Sequence, residues 1–518
     1  MKTHQVSLDK LEAQKPFHKT FKKCIGSGRV DLALREEYMD NLRIIQQEIG
    51  FEQIRGHGIL GDLVGVYHEK QLRVNTGEVI HFDKPLYTFR RAFKIIDNWL
   101  SAGIDPILEL GFMPGDLAEA HDRHVFWWYG NVSGPKDFNK WYEMIAKFTE
   151  AVVERYGEEQ VSQWPFEIWN EPNCNFFQPL AEDKKAAYFE LYRVAVKAIK
   201  DTLPSIKVGG PATQGDDVDW LTYLSENCTE QNVPLDFISH HLYSTTKREP
   251  SGEVEYMSLS PLKKMYGRFE KVIETVTDSK HPQAPIDITE WNTSWGALDP
   301  VHDNAINAAY IAPLLVHLDG KVRSFSYWTF CDVFEEQGIP KSPFHGGFGL
   351  MTEEGLRKPT YWAFEFANRL GNEVLHFDEH LCITRNRKGK IAILSFNPCI
   401  TKTEASSVSL EVSLKLAWNT SRIVSRHVND EQGNAYQCWR KLGMPRHPSD
   451  EEIEILSHAQ YPALEIERKE HLDSTLQLSM NLQENGISLT TIEPFVDHSD
   501  EYIGRRATHK EVAGQNYA

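Results

Sequence analysis

Cysteine is scarce in this chain: seven residues among 518, scattered and without a C-x-x-C pair. That usage fits reduced thiols in a cytoplasmic setting and excludes a disulfide framework. Long apolar runs are missing too. No stretch approaches the roughly 18 apolar residues a membrane span needs, and none is expected. Met1–Lys10 alternates polar and charged residues and lacks the apolar core of a signal peptide. Basic residues are in deficit. The 56 Lys and Arg against 74 Asp and Glu give a net charge of −18, which repels phosphate backbones and sets nucleic acid aside as a partner. No glycine-rich G-x-G-x-x-G turn follows the first strand-like run, so an open dinucleotide-binding sheet has no support. What the chain does have is aromatic surface. Its 13 Trp, 19 Tyr and 26 Phe fill a core and also suit a pocket that stacks on sugar faces. A hydrophobic share of 41% with 25% charged residues is that of a globular protein and excludes a largely disordered chain.

Up to residue 370, short apolar runs alternate with longer amphipathic ones. The runs Lys23–Gly26, Glu52–His57, Pro106–Gly111, Phe166–Asn170, Lys207–Gly210, Asp236–His241, Ile286–Glu290 and Ser324–Phe330 read as strands. Apolar residues at helical spacing lie between them, as in Tyr38–Ile49, Phe89–Leu100, Trp141–Tyr156, Tyr188–Leu203 and Pro261–Val276. Repeated βα units in this number predict a closed (β/α)₈ barrel of the TIM type over residues 16–370. The period then changes to two. Val408, Leu410, Val412 and Leu414 alternate with polar residues, as do Leu476, Leu478, Met480 and Leu482. Thr384–Ser395 reads as two strands joined by Arg387-Lys388-Gly389, and Asp450–His458 as a short helical patch. Residues 371–518 therefore predict a β-sandwich, with residues 1–15 pairing onto it.

In such a barrel, catalytic groups stand at the C-terminal ends of the strands. Arg55 and His57 end the second strand, Asn170 and Glu171 the fourth, His241 and Tyr243 the sixth, Glu290 the seventh and Trp328 the eighth. Two carboxyl groups facing each other across a barrel mouth are what glycosidic bond cleavage requires, one protonated and one ionised. Glu171 lies in Trp169-Asn170-Glu171-Pro172-Asn173, where Trp and Pro desolvate the acid and favour its protonated form. Asn170 beside it suits a sugar 2-hydroxyl. Glu290 lies in Ile288-Thr289-Glu290-Trp291-Asn292, with Arg55 available to keep it ionised. These settings assign Glu171 as acid/base and Glu290 as nucleophile. A lone glutamate after an apolar strand is commonly just an ion-pair partner; an acid set between Trp and Pro is costly to bury without a use. His240-His241 has no Cys or carboxylate at ligand spacing nearby, so no metal is expected. Cys174 lacks a paired base and reads as a bystander.

At these two motifs the chain resembles glycoside hydrolase family 39, and within it the bacterial β-xylosidases. Arg55-Gly56-His57-Gly58, Glu109-Leu110-Gly111-Phe112-Met113-Pro114, Val208-Gly209-Gly210-Pro211-Ala212, Pro300-Val301-His302-Asp303, Phe325-Ser326-Tyr327-Trp328-Thr329-Phe330 and Phe344-His345-Gly346-Gly347-Phe348-Gly349-Leu350 carry the same likeness. The resemblance implies a retaining, cofactor-free exo-glycosidase that releases β-D-xylosyl residues from the non-reducing ends of short oligosaccharides. It implies a glycone subsite lined by Asn170, His57, His241, Tyr243 and Trp328, with Glu335 and Glu336 gripping sugar hydroxyls. It also suggests a homo-oligomer, such as the tetramer common among family members. Other glycones on the same machinery (glucose, arabinose, iduronate) and a non-catalytic sugar-binding barrel are the competing readings. The sequence departs from the family pattern at Leu63, where an acid is common, and at Trp291 and Trp295, where tyrosines are common.

Overall fold

The computed structural model describes residues 2–400 and 407–498. Eight parallel strands close a barrel in chain order: β1 (Cys24–Arg29), β2 (Gln53–His57), β3 (Asp105–Glu109), β4 (Pro165–Glu167), β5 (Lys207–Gln214), β6 (Phe237–Tyr243), β7 (Ile286–Asn292) and β8 (Ser324–Tyr327). Closure is made where Tyr327 of β8 pairs with Ile25 of β1. Every residue of β6 and β7 is buried, because one face of a barrel strand meets the lumen and the other meets helices. The (β/α)₈ expectation is met.

The helices follow the strands one for one: α1 (Glu36–Glu48), α2 (Arg90–Ser101), α3 (Phe138–Tyr156), α4 (Lys184–Thr202), α5 (Asp219–Glu230), α6 (Leu262–Thr277), α7 (Ala305–His317) and α8 (Pro359–Arg369). Helix α2 shows why they form, burying Ala92, Ile95, Ile96 and Trp99 as one stripe. Helix α3 starts on the Asp137 carboxylate, which accepts from the backbone of Asn139 and Lys140, and stops at Gly157 with φ 85°. Helix α7 is different. Its run Ala-Ile-Asn-Ala-Ala-Tyr-Ile-Ala-Pro-Leu-Leu-Val-His is apolar almost all round, since α7 packs on α8 and on strands of the C-terminal sheet.

Two hairpins rise after β2 and β6, pairing Tyr67–Arg73 with Glu78–Tyr87 and Thr245–Ser251 with Val254–Leu259. Both are polar and largely exposed, so no apolar alternation announces them in the sequence.

Beyond the barrel, a seven-stranded sheet runs in the order Lys15–Pro16, Glu373–Phe377, Leu381–Arg385, Ile391–Phe396, Ile487–Pro494, Thr420–Val428, Ala463–Glu470. A three-stranded sheet places Val408–Lys415 between Lys2–Leu8, which pairs in parallel, and Thr475–Leu482, which pairs antiparallel. Val408, Leu410, Val412, Leu414, Leu476 and Leu478 point inward onto Leu381, Ile383, Ile391 and Ile393. This is the sandwich core. Two helices interrupt the larger sheet, Ala435–Lys441 and Asp450–Ala459, the second opened by a Ser449–Glu452 capping box. Seven residues are too few to display a helical period, so the first is not visible in the sequence. Trp439 and Leu456 from this insert pack with Phe344 and Leu356, joining it to the loop that follows β8.

Candidate active site

The reading of β4 as far as Asn170 is too long. The strand stops at Glu167, and Trp169 and Glu171 adopt φ values of 73° and 42°. Each left-handed residue of this kind costs about 1–2 kcal/mol relative to ordinary backbone. Hydrogen bonds hold the turn in place: Glu171 N–H donates to Ala212 at 2.9 Å, and Trp169 Nε1 donates to the Phe176 carbonyl at 2.7 Å. The turn carries the Glu171 side chain out of the sheet and over the barrel mouth.

Beneath it, Arg55 organises the floor. Its Nε donates to Glu167 Oε2 at 2.6 Å, Nη1 to Glu290 Oε1 at 2.7 Å, and Nη2 to Asn170 Oδ1 at 2.8 Å. Glu109 Oε2 lies 3.1 Å from the same Nη2. One buried guanidinium thereby ties β2, β3, β4 and β7 together, a task for which its planar fork of five donors is suited. Because the Asn170 carbonyl oxygen is engaged, its amide donors are left for a ligand. His57 binds Glu109 through Nδ1 and approaches Glu290 Oε1 to 3.3 Å through Nε2. Burial alone would lower the imidazole, but the Glu109 charge and then Glu290 outweigh it and push it up to about 10.

The two central carboxyl groups are driven in opposite directions. Burial would raise Glu290, yet the hydrogen bond from His57 and the positive charges of Arg55 and His57 hold it well below the usual carboxylate range. Tyr243 OH donates to its Oε2 at 2.7 Å. Glu171 is raised well above that range, first by burial and then by the facing Glu290 charge. Its Oε1 lies 2.8 Å from Nδ1 of His241. Glu171, His241 and Glu290 place oxygen and nitrogen atoms within 4.8 Å of one another. Such a triangle is open to a cation in principle; here Arg55 and a protonated His57 already set positive charge against Glu290.

Glu171 and Glu290 border one cavity of about 330 Å³ together with His57, Asn170, Tyr243 and Trp328. Its aromatic walls include Phe126, Phe176 and Trp295. The acidic pair divides. Glu336 lines the cavity and is pushed up to about 8, mainly by burial. Glu335 turns away, its carboxylate held by Arg29 and by Arg35 at 2.7 Å. His241 also stands behind the cavity rather than in its lining, between Glu171 and Thr289. Of the departures, Trp291 is buried against Phe325 and Tyr327, Trp295 stands half-exposed at the rim, and Leu63 does not reach the cavity. Position at a strand end marks neither Glu167 nor Thr289; Thr289 and Glu109 stand in the sequence only as members of longer motifs. Their signal is a polar side chain inside an otherwise apolar strand, as in Phe166-Glu167-Ile168.

Known proteins resemble this chain along nearly its full length. The profile of glycosyl hydrolases family 39 matches residues 4–477. A β-xylosidase of Geobacillus stearothermophilus is 41% identical over 493 residues, covering 94% of this chain and 95% of that enzyme. One from Caldicellulosiruptor saccharolyticus is 33% identical over 450 residues, covering 85% and 88%. Among solved structures, a monomeric β-xylosidase from Caulobacter crescentus CB15 superposes with a TM-score of 0.81 at 30% identity, covering 96% of this chain and all of that one. With the family profile matched over residues 4–477 and 94% of its length aligned to a relative at 41% identity, the chain belongs to glycosyl hydrolase family 39.

Proposed function

We propose that this chain is a retaining β-xylosidase that removes terminal β-D-xylosyl residues from short xylo-oligosaccharides by double displacement. Glu290 attacks the anomeric carbon while Glu171 gives its proton to the departing glycosidic oxygen. Water then enters with Glu171 as base, and Glu290 leaves as carboxylate. The observation that carries the reading is the pair itself: two carboxyl groups with oxygens within 4.8 Å, one raised and one depressed, facing one cavity. Oxygens that approach this closely fit the near carboxyl pair of retaining enzymes, roughly 5–5.5 Å apart, better than the roughly 6.5–9.5 Å pair that leaves room for an inverting water. Arg55 and His57 keep the nucleophile anionic, and Asn170 offers its amide to the 2-hydroxyl. Glu336, protonated near neutral pH, can both donate to and accept from sugar hydroxyls. Glu335 enters this scheme only through Arg29 and Arg35, and His241 only through Glu171. The relatives named above are β-xylosidases, which favours xylose over the other glycones.

The same proposal places the enzyme in the cytoplasm, divides it at residue 370 into barrel and sandwich with residues 1–15 on the latter, and makes it a homo-oligomer. Among the described residues no helix is long and apolar enough to cross a membrane. Light scattering tests the oligomer against the monomer of the Caulobacter relative. The deciding experiment is a panel of aryl glycosides followed by proton NMR. Release from the β-xyloside with the β-anomer formed first is expected. A first-formed α-anomer overturns the mechanism, and preference for a glucoside, arabinoside or iduronide overturns the glycone.

A further inference from the structure

His241 is held at both ring nitrogens. Its ring lies between two partners: Nδ1 is 2.8 Å from Glu171 Oε1, and Nε2 is 3.1 Å from Thr289 Oγ1. Thr289 has a single hydroxyl proton, and that proton is directed to Glu167 Oε1 at 2.8 Å. The other Glu167 oxygen accepts from Arg55 Nε at 2.6 Å. Burial pushes the Glu167 carboxyl up, and the Arg55 charge and a hydrogen bond from Ser239 oppose it. An arginine-paired carboxylate is a stronger acceptor than a neutral ring nitrogen, so Glu167 takes the threonine proton. Thr289 Oγ1 then has only lone pairs to offer His241. A hydrogen bond at that contact requires the proton on Nε2. Burial is the largest influence and keeps the ring neutral; Glu290 pulls the other way and is opposed in turn by Arg55, His240 and His57. A neutral ring with a proton on Nε2 presents a bare lone pair at Nδ1.

We infer that Thr289 is a positioning residue that fixes His241 as the Nε2–H tautomer, so that Nδ1 accepts the proton of the Glu171 carboxyl and keeps that group in its acid form. The inference rests on Glu171 being the acid/base, as proposed above. It also accounts for both halves of the cycle. In the first step the proton moves from Glu171 to the leaving aglycone oxygen. The resulting carboxylate then faces the Nδ1 lone pair, an arrangement that favours taking a proton back. In the second step water supplies that proton while its oxygen bonds the anomeric carbon and Glu290 departs. The other titratable groups turned towards Glu171 are Glu290 on β7, Arg55 and His57 on β2, Glu336 after β8, Tyr243 on β6 and Cys174 on its own loop. The Thr289 hydroxyl hydrogen-bonds none of these, so its removal leaves their charges in place.

The test is the pH dependence of kcat/KM for xylobiose and for an aryl xyloside with a good leaving group, in wild type, Thr289→Val, Thr289→Ser and Glu171→Gln. Valine keeps the shape and deletes the hydroxyl. The ring is then free to carry its proton on Nδ1 and donate to the Glu171 carboxylate, which lowers that group. We expect the alkaline limb for xylobiose to move down by about one pH unit, equivalent to about tenfold activity above it, with serine restoring the wild-type limb. The activated aryl substrate, which needs little protonation, should lose less than about threefold. An unmoved limb in Thr289→Val, or equal losses on both substrates, overturns the tautomer role. Should the valine variant not fold, the ¹⁵N–¹H pattern of His241 in the wild-type enzyme, assigned against His241→Asn, decides: a proton on Nε2 supports the inference and one on Nδ1 overturns it. Glu171→Gln separates the two levels. If it keeps the alkaline limb, the acid/base reading fails; if it loses the limb while Thr289→Val leaves the limb in place, only the tautomer role fails.

Discussion

The barrel mouth and the sandwich core bury side chains for opposite purposes. Between the two sheets of the sandwich, Val6, Leu381, Ile383, Leu410, Val412 and Leu476 pack with nothing to titrate. At the mouth, Arg55, His57, Glu109, Glu167 and Glu290 are buried in one network of ion pairs, with Glu171 buried beside Glu290. Aliphatic burial stabilises by roughly 25 cal/mol per Å² of apolar surface. Burying a cluster of charges gains little or nothing by comparison, and loses heavily if one partner is removed. The mouth therefore stores reactivity and the sandwich stores stability. Substitutions should separate the two quantities accordingly.

Glu290→Ala should break that comparison most sharply. We expect at least about a 10⁴-fold loss of kcat on xylosides with only a modest fall in Tm, because Arg55 keeps Glu109 and Glu167 as partners. Kinetics on a xylobiose assay and calorimetry of the same preparation check both halves. A large fall in Tm would make Glu290 a structural ion pair first.

Glu171→Ala comes next and adds pH to the comparison. The loss on xylobiose should be about 10³-fold, and on aryl xylosides with good leaving groups much smaller in the glycosylation step, since only the poor leaving group needs the proton. In the wild-type enzyme the raised Glu171 must be protonated, so activity is lost as pH rises through its raised value. The depressed Glu290 must be ionised, so activity is lost as pH falls through its low value. The profile should thus keep an acid limb below the ordinary carboxyl value of 4.5 and an alkaline limb above it. Alanine at 171 should remove the alkaline limb. The stability signs differ between the two groups. Glu290, depressed on folding, contributes stability above 4.5 that disappears on acidification. Glu171, raised on folding, contributes below 4.5 and loses that contribution as pH climbs through its folded value.

In the sandwich, Leu410→Ala should reverse the pattern. The side chain is fully buried, so about 2–5 kcal/mol of stability should go, while kcat per folded molecule stays put. Denaturant melts and active-site titration read the two separately.

The same contrast explains what could be read ahead of the structure. The sandwich strands were legible because one face is apolar and the period is two; Val408–Lys415 alternates buried and less buried residues along its whole length. The barrel was legible as strand–helix repetition, although helix α7, apolar nearly all round, carries no amphipathic signal. Glu171 and Glu290 stood out because each sits in an aromatic motif at a strand end. Which neighbour of a motif faces the cavity was not legible. Glu335 and Glu336 are adjacent, and only the path of the loop after β8 sends one to Arg29 and Arg35 and the other to the cavity. Thr289 and Glu167 meet across the barrel at 2.8 Å from positions far apart in sequence, and no local pattern encodes such a contact.

The smallest effect is expected at Leu63, and it tests whether departures from a family pattern matter by position or by chemistry. An acid beside Asp62 is common in the β-xylosidases, and its loss suggests an altered sugar preference when only the sequence is in view. In the structure Asp62 turns its carboxylate to the backbone N–H of Gly115 at 3.0 Å, and neither it nor Leu63 borders the cavity. Leu63 is partly buried on the outer side of the loop after β2, where its carbonyl accepts from Arg91. An aspartate there would add a charge screened by solvent and remote from the sugar, worth about 0–0.5 kcal/mol in either direction. Leu63→Asp should therefore leave KM and kcat for xylobiose within about twofold of wild type. A tenfold fall in KM would mean that the loop after β2 closes onto the substrate during turnover and that the mouth extends further than its resting walls.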